Sequence, residues 1–203
     1  MGYFWQRGAI LWELLNIKKI IIFLLAIGVM AAVTGCARWP EEPEPEPGET
    51  EYQLEITLEV EGIIDSSNGI YYIAMDADGN SATGPGYDIS FWDNRFYYIK
   101  LEDGFFYFAQ KEEGSPELDL ADSLISGNKI QVTVALSDLE KPNSIDINVV
   151  TTDSDNNTYD HLDSYFTIST VLGSTGEGVI SGGGTGGTDF NIVKATAVIT
   201  TLY

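Results

Sequence analysis

Two short stretches place oxygen-bearing side chains at alternate positions: Asp76-Ala-Asp78-Gly-Asn80 and Asp153-Ser-Asp155-Asn-Asn157. In a tight loop, side chains spaced by two can converge on one hard cation. Ca²⁺ takes six to eight oxygens, with main-chain carbonyls and water completing what side chains begin. Both stretches are therefore candidate calcium loops. Neither is a full EF-hand, because the sixth position is Ser81 or Thr158 instead of Gly and the twelfth is not Glu. Asp and Asn also cap turns by bonding the backbone two residues on, so the same pattern suits an ordinary turn.

A second chemistry sits between Phe91 and Phe108, which hold nine of the 24 aromatic residues. Asp103-Gly104 is the dipeptide that a two-residue hairpin turn demands, and it fixes the register. Glu102 then faces Phe105, Leu101 faces Phe106, Lys100 faces Tyr107 and Ile99 faces Phe108. Facing residues point to one side, so Tyr97, Ile99, Leu101, Phe106 and Phe108 form the more apolar surface. Phe96, Tyr98, Lys100, Phe105 and Tyr107 form the other. With Trp92 just upstream, these residues (Trp92, Phe96, Tyr98, Lys100, Phe105, Tyr107) are the candidate ligand-binding set. Aromatic rings beside charged groups are suited to stacking sugar rings. The alternative is that this second face packs beneath a loop, with 111–127 as the cover.

The inventory excludes much else. A single Cys and a single His leave no disulfide framework and no Cys/His zinc site. His161 stands in a polar turn with no G-x-S-x-G elbow near it, so the expectation is a binder, not an enzyme. Thirty-one acidic against 10 basic residues give a formal charge of −21. A charge of that sign excludes nucleic-acid binding by counterion release.

The elements that must position these residues follow from periodicity. Residues 20–33 (IIIFLLAIGVMAAV) follow Lys18 and Lys19; the run is too short to span a bilayer and suits a signal peptide. Val33-Thr34-Gly35-Cys36 resembles the bacterial lipoprotein cleavage box, which implies cleavage after residue 35 and a diacylglycerol on Cys36. Two acyl chains suffice for stable anchoring, so the resemblance places the chain on a cell membrane or outer membrane with its domain extracytoplasmic. Residues 36–51, rich in Glu and Pro, form an extended linker. Residues 52–203 make one domain.

In that domain period-2 patterns dominate, as in 52–60, where Leu54, Ile56, Leu58 and Val60 alternate with polar residues. The turn residues 65–69 predict a hairpin from this strand into 70–75. Further strands fall at 96–101, 105–110, 129–136, 144–151, 163–169 and 190–202. The 137–142 segment reads as a turn, and 115–127 has no clear pattern. The fold class is all-β: a two-sheet antiparallel sandwich of about eight to ten strands.

YYIAMDADGNSATGPGYD (71–88) and IQVTVALSDLEKPNSIDINVVTTDSDNNTYDHLDS (130–164) together resemble DOMON-like and family 9 carbohydrate-binding-module-like sandwiches. The resemblance covers most of 52–203. It implies a ligand-binding sandwich, with carbohydrate as the ligand and a structural Ca²⁺. It also implies a haem-binding branch, whose Met and His ligands would have to be Met75 and His161. A third reading is a structural or assembly lipoprotein of the envelope, pairing through a sheet edge with a partner.

Overall fold

The computed structural model describes residues 51–180 and 182–202. The expected leader, Cys36 and all of the linker but Glu51 lie outside them. The chain enters with strand β1 (Tyr52–Val60), then β2 (Ile70–Asp76), β3 (Tyr97–Glu102) and β4 (Phe105–Gln110). Two short strands follow, β5 (Leu118–Asp119) and β6 (Ser123–Ser126), and then β7 (Lys129–Ala135) and β8 (Ser144–Thr152). The last four are β9 (Thr158–His161), β10 (Phe166–Ser169), β11 (Thr175–Val179) and β12 (Ile192–Thr201). Single 3-10 turns lie at Ile89–Phe91 and Leu136–Leu139.

The strands form two antiparallel sheets. The first runs β11-β12-β1-β7-β6; the second runs β10-β8-β2-β3-β4-β5, with β9 beside the far end of β8. The all-β sandwich holds. Twelve strands are present among the described residues, against about eight to ten expected, and the four outside the eight segments named from the sequence (β5, β6, β9, β11) have two to five residues each. The 115–127 segment accounts for two of them: β5 extends the second sheet from β4 and β6 extends the first from β7.

The predicted hairpin between β1 and β2 does not form. β1 pairs with β12 and β7, whereas β2 pairs with β3 and β8 in the opposite sheet. Both strands carry an apolar face, and each buries it in the shared core between the sheets. Residues 61–69 carry the chain over, tied down by Asp189. Its carboxylate accepts from Ile63 N–H (2.9 Å) and its carbonyl accepts from the buried Tyr71 hydroxyl (2.8 Å).

The core lies between the sheets. Leu54, Ile56, Leu58 and Val60 of β1 join Tyr71, Ile73 and Met75 of β2 and Ile145, Ile147 and Val149 of β8. The β3–β4 hairpin adopts the expected register, Leu101 opposite Phe106 and Ile99 opposite Phe108. Asp103 and Gly104 both take positive φ (51° and 83°), as a twisted two-residue turn requires. Tyr97, Ile99 and Leu101 face the core, with Phe106 and Phe108 packed against it.

The second sheet is unusual in being covered on its outer face as well. Every residue of β8 from Ile145 to Thr152 is buried. The cover is the long 77–96 connection between β2 and β3. Ile89, Trp92 and Phe96 pack on Ala74 and Val150 as a small second core, with Tyr72 and Tyr98 against it. Asn148 Nδ2 donates to Pro85 O (2.8 Å), and Tyr165 Oη to Ser81 O (2.8 Å). Gly84 lies so close to the Tyr165 ring that an added Cβ would fall 2.6 Å from it. A polar sheet face is thus converted into a floor under a fixed loop.

Candidate functional site

On that outer face, between the 77–96 loop and the β4–β5 connection, opens a cleft of about 400 Å³ lined by Tyr72, Trp92, Tyr98, Lys111, Glu117 and Asn156, with Ile89 and Ser90 at one side. Tyr72 of β2 and Tyr98 of β3 are diagonal neighbours across the strand pair, Tyr72 facing Lys100 and Tyr98 facing Ala74, and both project outward from the sheet. Their rings stand 6.2 Å apart at 63°; Trp92 meets Tyr72 edge-on at 5.8 Å and lies tilted by 46° to Tyr98 at 6.4 Å. Edge-to-face spacings of this kind make a rigid aromatic wall.

Polar groups hold its rim. The Tyr98 hydroxyl donates to Glu117 Oε1 (3.0 Å), and the Tyr72 hydroxyl donates to Asn156 Oδ1 (3.2 Å). Lys100 Nζ pairs with Glu117 Oε2 (2.8 Å) and Glu102 Oε2 (3.1 Å) and lies 4.9 Å from the Tyr107 ring centroid. Burial pushes the Tyr72 phenol up to about 12, helped by the charges of Glu102 and Glu117. Burial does the same at Tyr98, also to about 12, with the Glu117 hydrogen bond adding to it. Burial pulls the Lys100 ammonium down, but its two glutamate partners outweigh that and its pKa is raised.

The candidate ligand-binding set divides. Tyr98 lines the cleft. Trp92 lines it too, but as a wall: it is 7% exposed, and its indole N–H donates to Gly86 O (2.7 Å). Phe96 is buried in the second core, so it is not part of an open stacking surface. Lys100 is engaged by its glutamates. Tyr107 is outside the lining and packs beside Lys100, and Phe105 is 63% exposed at the hairpin turn and absent from the lining. The expected cover, 111–127, contributes only Lys111 and Glu117; the loop that does the covering is 77–96. Tyr72, Glu117 and Asn156 were not among the sequence candidates. Tyr72 could have been found, since it follows Tyr71 in a strand whose alternate residues must face outward.

The acidic stretches separate as well. In the second, Asp153 Oδ1 accepts from the Asp155 and Asn157 N–H groups and Oδ2 from Asn157 Nδ2, which lowers its pKa. Asp153, Asp155 and Asn157 thus make a self-capped turn. Asn156, at φ 65°, is the member that reaches the cleft. In the first, Asp76 Oδ1 accepts from Asp78 N–H, Asp78 Oδ1 from Asn80 N–H and Asn80 Oδ1 from Ala82 N–H. Those are three successive turn bonds. Asp76 is nevertheless 3% exposed, and its Oδ2 has no hydrogen-bond partner. No cluster of three or more His, Cys, Asp or Glu side chains arranged for a metal occurs among the described residues.

Met75 and His161 occupy opposite faces of the second sheet. Met75 is fully buried in the core, whereas His161, opposite Val150, stacks on Tyr87 of the covering loop at 4.6 Å. They do not meet at one iron. No family model, curated protein or solved structure matches the chain.

Proposed function

We propose that the domain binds a carbohydrate in the Tyr72–Trp92–Tyr98 cleft and does not transform it, on a chain held at the extracytoplasmic side of a membrane by lipid on Cys36. The observation that carries the reading is the cleft itself: two aromatic rings fixed on a sheet and a third held over them by the 77–96 loop, bordered by a carboxylate, an amide and an ammonium. Rings supply apolar contact to the faces of a sugar, and Glu117, Asn156 and Lys111 suit its hydroxyls, which both donate and accept. The formal charge of −21 disfavours acidic glycans, so the ligand is a neutral or amino sugar. The anchoring part rests on the 33–36 box and the basic, apolar run before it.

The test is retention on immobilised neutral polysaccharides, with intrinsic tryptophan fluorescence reading Trp92 on titration. Tyr98→Ala and Tyr72→Ala should each weaken binding by 10-fold or more, as loss of about 1.5 kcal/mol of stacking implies. Phe105→Ala should leave it unchanged. Retention unaltered in both tyrosine variants would exclude the cleft.

A further inference from the structure

The 77–96 loop is folded over two carboxylates that the binding cleft does not use. Asp76 closes β2 and Asp146 is the third residue of β8, and the antiparallel register sets them directly opposite each other on the outer face. Side chains so placed lie ~5 Å apart at Cβ. Both are buried, at 3% and 4% exposure. Asp146 Oδ1 accepts from Thr167 Oγ1. Asp76 Oδ1 accepts from Asp78 N–H (3.0 Å), but Asp76 Oδ2 is an orphan. Among the described residues it is the one buried side-chain oxygen or nitrogen without a partner. Two like charges forced together out of water, one with a bare oxygen, are a poor arrangement for two carboxylates and a good one for a cation between them.

We propose that Asp76 and Asp146 are the anionic half of a Ca²⁺ site beneath the 77–96 loop, with Asp76 Oδ2 as a direct ligand. Asp76 belongs to the acidic stretch, but its partner comes from a strand 70 residues away. Asp78 and Asn80, occupied in turn bonds, shape the loop and are not the principal ligands. Carboxylate oxygens select a hard ion, and two charges supplemented by main-chain carbonyls and water match the loose coordination that Ca²⁺ accepts and Mg²⁺ does not. Arg95 is not a substitute. It pairs with Asp93 at 3.1 Å and comes only within 3.9 Å of Asp78, with its side chain 65% exposed. The ion would tie the end of β2 to β8 and so pin the loop that carries Trp92.

The full chain in mild detergent, melted in CaCl₂ and in EDTA at equal ionic strength, tests this without any sugar. Free Ca²⁺ at about 100 times its Kd should raise Tm by roughly 5–10 °C, and MgCl₂ at the same concentration by much less. Asp146→Asn and Asp76→Asn should each abolish the response, whereas Asp153→Asn should keep it. Hydrogen exchange on the unaltered protein localises the effect should a variant fail to fold: Ca²⁺ should slow the amides of 77–85 and spare 153–157. Equal melting of the wild type in Ca²⁺ and EDTA would overturn the proposal. So would a Ca²⁺ response that survives Asp146→Asn, or protection confined to 153–157. Loss of sugar binding with the Ca²⁺ response intact would instead count against the cleft alone.

Discussion

Glu117 holds two side chains at once, accepting from the Tyr98 hydroxyl with one oxygen and from Lys100 with the other. Its charge opposes formation of a Tyr98 phenolate, and its hydrogen bond favours the phenol. Glu117→Gln should therefore let Tyr98 ionise at lower pH, read by ultraviolet phenolate titration against Tyr98→Phe. An unchanged curve would mean that burial alone sets the shift. The sign for stability follows from the same protons. Tyr72 and Tyr98 have an ordinary value of 10.0 and stand at about 12 in the fold. Between those limits the unfolded chain releases protons that the folded chain keeps, so stability is complete below pH 10 and falls as pH rises toward 12. Tyr72→Phe/Tyr98→Phe should make that part of the alkaline unfolding curve less steep, the remainder coming from Tyr71, which burial also raises to about 12.

The β3–β4 hairpin and the 77–96 loop mark what could and could not be read in advance. Asp103-Gly104 dictated a turn geometry, and the register followed because a two-residue turn leaves no freedom. Gly104, at φ 83°, cannot accept a side chain without strain, so Gly104→Ala should cost about 1 kcal/mol in urea unfolding, while Asp103→Asn should cost little. No loss in the Ala variant would mean the turn can relax. The outer face of β8 was harder. Ser-Ile-Asp-Ile-Asn alternates as a strand with one wet side would, yet Asp146 and Asn148 are both buried. What buries them is a loop whose Gly-Pro-Gly and lone aromatics have no period. The β1–β2 hairpin failed for a related reason. Turn residues show that the chain bends, but which sheet receives the next strand depends on partners distant in sequence. Glu117 and Asn156 were hidden likewise, one in a patternless segment and one inside a turn read as a metal loop.

At the scale of the whole molecule, charge sets the response to salt. Thirty-one acidic residues face 10 basic ones, and among the described residues ion pairs such as Lys129–Glu59 at 3.4 Å and Arg95–Asp93 at 3.1 Å lie partly open to solvent. Screening should therefore relieve more repulsion than it removes attraction. Raising NaCl from about 10 mM to 500 mM, which shortens the Debye length from ~30 Å to ~4 Å, should raise Tm; a fall would show that the pairs outweigh the net charge. Topology has a different outcome. β1, the first strand of the domain, sits mid-sheet between β7 and β12, and its whole length is zipped to Ile192–Thr201. During synthesis, one side of β1 therefore has no partner until β12 has emerged. The first sheet cannot close before residues 192–201 are available to pair with β1.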